Sequence, residues 1–306
     1  MTTYLFTGAT GQLGQAFIRA ILKDEKNHII GLHSTDTEVS VRLSRTYANL
    51  SLVKVEEMQE SSFRALLDLY RPDIVGHLSA QTSVWESKEE GLKTFNKNVK
   101  ETYEILRSLI RYKPVTFFNM SSSEIFGSCG EINESSKIAP SNPYGVSKAC
   151  AHLYVDSFRH EYGVSASNII SGNFISEFQS SKFVIGKTLE YIKNGPDKNN
   201  KLKLGNLDSV RDWMYVDDLV HGILRALEFP ANNWCVAANN VKSVGQVVKL
   251  IFDYSGFNYR DYVEIEESLF RKNDTVYGHI DSSRLRSLGW EPKYATLDII
   301  RKLLNG

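Results

Sequence analysis

The chain predicts an α/β fold, a doubly wound parallel sheet with a smaller mixed C-terminal region. Three features of the sequence lead there. Short apolar runs alternate with segments of helical period through roughly the first 170 residues. A glycine-rich turn closes the first apolar run. After residue ~170 the alternation gives way to shorter, less regular elements.

Residues 4–7 (Tyr-Leu-Phe-Thr) form the first strand and run into the glycines. Leu13, Phe17, Ala20 and Ile21 then recur at three- and four-residue spacings, which predicts a helix. Residues 28–32 and 51–55 read as strands, and residues 63–70 as a helix. Arg71-Pro72 stops that helix, because proline lacks the backbone donor needed to continue it. A strand over 73–78, a long amphipathic helix over 91–112, a strand over 115–120 and a mostly helical 148–162 complete the alternation. A loop rich in Ser, Asn and Phe (171–182) leads to a helix near 183–194. Asn-Gly-Pro-Asp-Lys-Asn-Asn at 194–200 then marks a turn.

Composition narrows the function classes. The 306 residues carry 36 Lys and Arg against 36 Asp and Glu, with 42% hydrophobic residues, an ordinary globular balance. Zero net charge removes the electrostatic reason to expect nucleic acid or an anionic membrane as partner. No apolar run approaches the ~20 residues that span a bilayer, and a strand beginning at Tyr4 leaves no room for a secretion signal. Cys129, Cys150 and Cys235 are far apart and lack CxxC spacing, so reduced thiols and a cytoplasmic setting are expected.

The segment Thr7-Gly8-Ala9-Thr10-Gly11-Gln12-Leu13-Gly14 lies between the first strand and the first helix. Glycines there permit a tight turn and let backbone approach a pyrophosphate seated on the helix N-terminus. Gly8, Thr10, Gly11, Gln12, Leu13 and Gly14 are therefore expected around a dinucleotide. An acid after the second strand would select NAD by accepting bonds from the ribose hydroxyls. His33 stands there, followed by Ser34 and Thr35, which leans the expectation to NADP with NAD as the alternative. Asp36 would be the acid in a shifted register, and Arg42 and Arg45 are candidate phosphate partners.

Tyr144-Gly145-Val146-Ser147-Lys148 puts Tyr and Lys four apart, on one face of a helix. An ammonium beside a phenol, with an oxidised nicotinamide, favours the phenolate and prepares Tyr144 as a base. Met120-Ser121-Ser122-Ser123-Glu124 follows the fifth strand, where ligands bind in such sheets. An extended chain would point Ser122 and Glu124 to the same side. None of the 7 histidines has metal-ligand spacing, so no metal is expected. His152 and His160 fall on a helix and read as packing or surface residues.

The segments TGATGQLG, LSAQTSV, MSSSEIFG and YGVSK, in that order, resemble the extended short-chain dehydrogenase/reductase family of sugar-nucleotide epimerases and dehydratases. Within it, Gly205-Asn206-Leu207-Asp208-Ser209-Val210-Arg211-Asp212-Trp213 is similar to the GNLD-x-x-RDW segment of the GDP-mannose 4,6-dehydratases. The resemblance spans essentially the whole chain. It implies a Rossmann-type dinucleotide-binding unit over residues 1–170, joined by segments near 210–240, and a sugar-nucleotide-binding region over 171–306. It also implies Ser122, Glu124, Tyr144 and Lys148 as the catalytic set. Leu78 and Ala80 would line the cofactor, and Ser83, Asn173, Lys187, Arg211, Arg271 and Asp274 the substrate. The implied reaction is 4,6-dehydration of a GDP-sugar in a homodimer or tetramer. A 4-dehydrogenase, 4-reductase, epimerase or decarboxylase would use a similar site, and a non-catalytic dinucleotide sensor the same fold. The chain departs from the dehydratases in its shorter length. Ser34 and Thr35 replace paired arginines, and Trp85-Glu86 stands where smaller residues are usual.

Overall fold

Leu5 and Phe6 are neighbours on strand β1 (Thr3–Thr7), point to opposite faces and are both fully buried. A strand with no wet face requires layers on both sides, and the chain supplies them in turn. The structure, a computed structural model, describes residues 1–112, 115–128, 130–270 and 279–305. Arg271 and Asp274, expected at the substrate, and Cys129 lie outside the described residues.

Helix α1 (Gln12–Ile21) follows β1, and then come β2 (His28–His33), α2 (Glu38–Thr46), β3 (Leu50–Lys54), α3 (Glu60–Tyr70) and β4 (Ile74–His77). The short helices α4 (Val84–Glu89) and α5 (Gly91–Phe95) lead through a π turn, Asn96–Lys100, into α6 (Glu101–Leu109). Strand β5 (Thr116–Met120), the two-residue β6 (Glu131–Ile132), α7 (Pro143–Tyr162) and β7 (Ala166–Ser171) close the first half. Beyond lie β8 (Asn173–Ile175), α8 (Val184–Lys193), β9 (Leu202–Leu204), β10 (Val210–Tyr215), α9 (Val216–Ala226) and β11 (Asn233–Val236). Strand β12 (Val241–Ser243), α10 (Val244–Tyr254), β13 (Val263–Ile265) and β14 (His279–Ile280) follow.

The central sheet has seven strands in the order β3-β2-β1-β4-β5-β7-β11, every neighbouring pair parallel. This is a doubly wound, Rossmann-type α/β fold. One face packs Phe6, Ile29 and Phe118 against Phe17 of α1 and Leu219 and Ile223 of α9. The other packs Leu5, Ile30 and Phe117 against Phe63, Leu106 and Val155 from α3, α6 and α7. The expected strands are present within a residue or two. Two helical expectations change. Helix α2, with Thr37 as its N-cap, occupies a stretch to which the sequence reading assigned no element. The 91–112 helix is broken by the π turn and stops at Leu109. Helix α7 starts at Pro143, where Asn142 caps it and proline suits its first position, so Tyr144 and Lys148 lie on one helix as their spacing implies.

Strand β10 leaves the main sheet to pair with β8 and β12 in a three-stranded sheet, while β9 pairs with β13 and β6 with β14. Strand β11 rejoins the main sheet at its edge. No described helix is long and apolar enough to cross a membrane.

Phe118 is fully buried and meets Phe6 and Phe17 at ring-centroid distances of 6.2 and 5.6 Å. Phe118→Ala should cost about 3–5 kcal/mol of stability through the cavity it leaves, measured by urea unfolding.

Candidate active site

From β1 the chain winds outward through β2 to β3, whereas from β4 it winds the opposite way through β5. The loops leaving β1 and β4 therefore part, and a crevice opens at their carboxyl ends. The glycine turn, residues 78–83 and residues 121–127 all emerge there.

Gly8 has φ +69, and a Cβ on it would lie 2.8 Å from the Ser79 backbone nitrogen. Only glycine lets the β1 turn pass so close to the chain leaving β4. The Thr7 hydroxyl bridges the two strands, accepting from the Ser79 N–H at 3.1 Å and meeting His77 Nδ1 at 2.8 Å. Helix α1 opens at Gly11, and among the described residues no side chain caps it and no acid occupies its first turn. Its first N–H groups and the positive end of its dipole suit a diphosphate, so Gly8, Thr10, Gly11, Gln12 and Gly14 fit a dinucleotide. Leu13 faces the core and offers only its backbone. Gln12 instead reaches across to the Phe174 carbonyl of β8, at 3.3 Å.

Strand β2 ends at His33, so Asp36 is not its terminal residue. His33 is buried with Nδ1 3.2 Å from the Thr35 carbonyl oxygen, Ser34 is exposed, and Asp36 pairs with Lys54 at 2.9 Å. Arg42 donates to Gln15 at 2.6 Å. Leu78 and Ala80 are half-buried just beyond β4.

The strand-based geometry expected for Ser122 and Glu124 is not what forms. Strand β5 stops at Met120, and Ser123–Phe126 is a single 3-10 turn. The Ser122 hydroxyl caps that turn, accepting from the Glu124 N–H at 3.2 Å. Asn142 then joins the turn to α7: its Nδ2 donates to the Glu124 carboxylate at 2.7 Å, and its Oδ1 accepts from the Gly145 N–H at 2.8 Å. A Cβ on Gly145 would lie 2.6 Å from the Glu124 carbonyl oxygen, so this helix start can approach the turn only with glycine there. The Ser122 hydroxyl lies by the Tyr144 phenol and favours its ionised form, and Lys148 Nζ donates to the Met120 carbonyl at 2.6 Å. All four expected catalytic side chains thus meet at the junction of β5 and α7.

Burial governs the charges here. It pushes the Tyr144 phenol up to about 12, assisted by the Glu124 carboxylate and opposed by the Ser122 hydrogen bond. The lowered tyrosine expected from the sequence is therefore absent from the chain alone, because desolvation outweighs the polar neighbours. Burial lowers Lys148 to about 8. It also holds His77 well below its ordinary range, with Lys148 and Lys97 adding to the effect, so His77 brings no charge to the crevice floor.

Sequence patterning missed three participants. Asn142 was readable as an Asn-Pro helix start. Asn98 sits in the π turn, where one inserted residue breaks the periodicity that would reveal it. Its amide donates to the Gln81 carbonyl at 3.0 Å and to Ser147 at 2.9 Å, and accepts from the Gln81 N–H at 2.8 Å. The Ser147 hydroxyl in turn donates to the Tyr144 carbonyl at 2.7 Å. His152, expected to be packing or surface, is buried with polar partners.

The expected substrate residues are less gathered. Asn173 is exposed at the start of β8, in register with Trp213 of β10, the strand that carries the buried Arg211. Arg211 donates to the Val210 carbonyl at 2.7 Å, Lys187 to the Lys203 carbonyl at 2.8 Å, and Ser83 caps α4.

The model of the GDP-mannose 4,6 dehydratase family matches residues 5–303. The chain is 30% identical to GDP-mannose 4,6 dehydratase 1 of Arabidopsis thaliana, over 98% of its own length and 88% of that protein's. Its fold is similar to that of dTDP-glucose 4,6-dehydratase from Bacillus anthracis in complex with NAD (TM-score 0.88, 21% identity, 100% of this chain and 96% of the other). It is also similar to UDP-glucuronic acid 4-epimerase from Bacillus cereus in complex with UDP-glucuronic acid and NAD (TM-score 0.88, 18% identity, 99% and 98%).

Lys148 titrates near 8 in the folded chain and at its ordinary 10.5 when unfolded. Between those values the unfolded chain holds more protons, so stability rises with pH across the window and the burial penalty is complete below it. Lys148→Met in the dinucleotide-free protein should therefore raise stability at pH 7, by no more than about 3 kcal/mol. Urea midpoints should show the gap closing as pH rises from about 8 to about 10.5.

Proposed function

The chain belongs to the GDP-mannose 4,6-dehydratase family and is an NAD(P)-dependent dehydratase of the short-chain dehydrogenase/reductase type; from that premise we propose that it dehydrates GDP-mannose or a related GDP-manno-configured sugar across carbons 5 and 6. The family match supports the guanine nucleotide and the manno configuration.

When bound, the nicotinamide supplies the redox chemistry, taking a hydride from carbon 4 and returning it at carbon 6. The chain's residues handle the protons. Tyr144 takes the proton of the 4-hydroxyl, and Ser122, beside Tyr144, steadies the same oxygen. Lys148 would hold the dinucleotide ribose. With carbon 4 a ketone, the carbon-5 proton is acidic and Glu124 removes it. Glu124 passes that proton to the departing 6-hydroxyl, and water leaves a carbon 5–carbon 6 double bond. As the hydride is returned at carbon 6, carbon 5 takes up a proton, which Tyr144 can supply from the one it took at the 4-hydroxyl. The sum is loss of one water with no net oxidation.

Glu124 is the observation that carries this reading. Ser122, Tyr144 and Lys148 suffice for carbon-4 oxidation or reduction, whereas elimination needs a further base. The Asn142 amide at 2.7 Å ties the Glu124 carboxylate to the helix bearing Tyr144. NADP is the proposed dinucleotide, supported by His33 at the end of β2, where an acid would repel the extra phosphate. NAD, which the two solved relatives hold, is the alternative to test. A cytoplasmic homodimer completes the reading. It is supported by exposed Leu92, Phe95, Tyr103, Val146, Leu153 and Tyr154 on α5, α6 and α7, which a second copy would cover.

Purified protein incubated with GDP-mannose and related nucleotide sugars, with NADP and NAD in separate reactions, should yield a product lighter by one water and no accumulated reduced cofactor. Loss of two hydrogens with matching cofactor reduction would instead identify a 4-dehydrogenase. Glu124→Gln should lower dehydration by about 10²–10⁴-fold while the enzyme still reduces its dinucleotide. Undiminished turnover in that variant would remove Glu124 from the mechanism.

A further inference from the structure

His152 lies one helical turn beyond Lys148 on α7 and is only 3% exposed. Its Nδ1 is 2.9 Å from the Ser121 hydroxyl and its Nε2 is 3.5 Å from the Asp156 carboxylate. Asp156 is itself held by Arg159 and by the amides of Asn168 and Asn233, both at 3.1 Å. The Asn168 amide also donates to the His152 carbonyl at 3.1 Å, so β7 braces the same turn of the helix. On the other side, Ser121 is the last residue tied to the sheet, its N–H donating to the Ile169 carbonyl at 2.8 Å. Successive turns of α7 thus grip successive residues of the chain leaving β5: Lys148 takes Met120, and His152 takes Ser121. The next residue is Ser122, which lies by Tyr144 and caps the turn carrying Glu124.

We infer that His152 is a positioning residue for the reaction, acting through Ser121 to set the point where β5 ends and Ser122 turns toward Tyr144. Asp156 keeps the proton on Nε2, which leaves Nδ1 to accept the Ser121 hydroxyl hydrogen. A Ser, a His and an Asp in sequence also invite comparison with a nucleophilic triad. Ser121 is only 5% exposed, however, and its hydroxyl is enclosed between α7 and the sheet, where no substrate carbonyl can reach it. The group thus acts by holding, one residue away from the chemistry. Ser122 could otherwise pivot about the Ser121 peptide, and a small displacement there would separate it from both the phenol and the substrate oxygen.

This inference rests on the catalytic reading of Ser122 and Tyr144, and the test separates the two. His152→Leu and Ser121→Ala should each lower kcat about 10–100-fold with KM for the nucleotide sugar nearly unchanged, as expected for lost alignment rather than lost binding. The double variant should be no worse than either single one. His152→Asn, whose amide oxygen can stand where Nδ1 stood, should recover most of the rate. In the dinucleotide-free protein, nitrogen-15 spectra should show the His152 proton on Nε2 and a Nδ1 resonance that moves in Ser121→Ala. A Nδ1 resonance indifferent to Ser121→Ala overturns the inference, as do additive losses in the double variant or an Asn variant as slow as the Leu variant. Tyr144→Phe serves as the control. Full turnover in it would remove the catalytic reading, and the Ser121-dependent resonance would still decide whether His152 grips this junction.

Discussion

The contact on which the site depends is the approach of α7 to the end of β5. Lys148 Nζ donates to the Met120 carbonyl at 2.6 Å, and Gly145 lets the first helical turn close on the Glu124 carbonyl. The approach carries a cost, since an ammonium and a phenol are both taken out of water, and each is driven toward its neutral form. That cost keeps the chain alone in a resting state, with the phenol protonated. A bound positive nicotinamide and the substrate hydroxyl would shift the balance toward the phenolate, so proton transfer is coupled to occupancy of the crevice.

Around this junction the polar groups form one connected scaffold. Asn98 ties the loop after β4 to Ser147, and Ser147 ties to the backbone of Tyr144. Asn142 joins the cap of α7 to the Glu124 carboxylate. Thr7 and His77 join the glycine turn to the chain leaving β4. Each of these side chains is buried and satisfied by groups from a different element, so none can shift without breaking a bond elsewhere. Such a frame suits a reaction in which one sugar ring must present carbon 4, carbon 5 and carbon 6 to groups that stay in place.

The second half of the chain is built differently. Its small sheets are separate from the main one, but Ile175, Ile185, Trp213 and Val244 enter the same apolar core as Phe6 and Phe17, and Gln12 adds a bond to the Phe174 carbonyl. Arg19 of α1 also pairs with Glu177 and Asp217, which fastens the loop after β8 and the start of α9 to the first helix. Lys187 and Arg211 hydrogen-bond backbone carbonyls on this side. The crevice at the ends of β1 and β4 is therefore built into the main sheet, and the second half is held to it by a shared apolar core as well as by side-chain bonds.

Much of this was legible in the residues. The alternation of apolar runs specified the parallel sheet, because a strand buried on both faces needs continuous apolar sequence. The glycines after the first apolar run marked the tight turn leaving β1, because only glycine at position 8 permits its close approach to the Ser79 backbone. Tyr144 and Lys148 were readable from a four-residue spacing, since local helical geometry alone puts them on one face. Tertiary structure decided the rest. Glu124 reached the site by a 3-10 turn rather than an extended strand, because packing against Gly145 and Asn142 bent the chain there. Asn98 and His152 gained their roles from partners 17 to 49 and 31 residues away. The direction of the tyrosine shift was likewise a matter of burial, a property of the whole fold. Spacing along a chain encodes what a helix or strand does locally. Which polar groups meet, and how dry the place where they meet becomes, is set only when distant segments pack together.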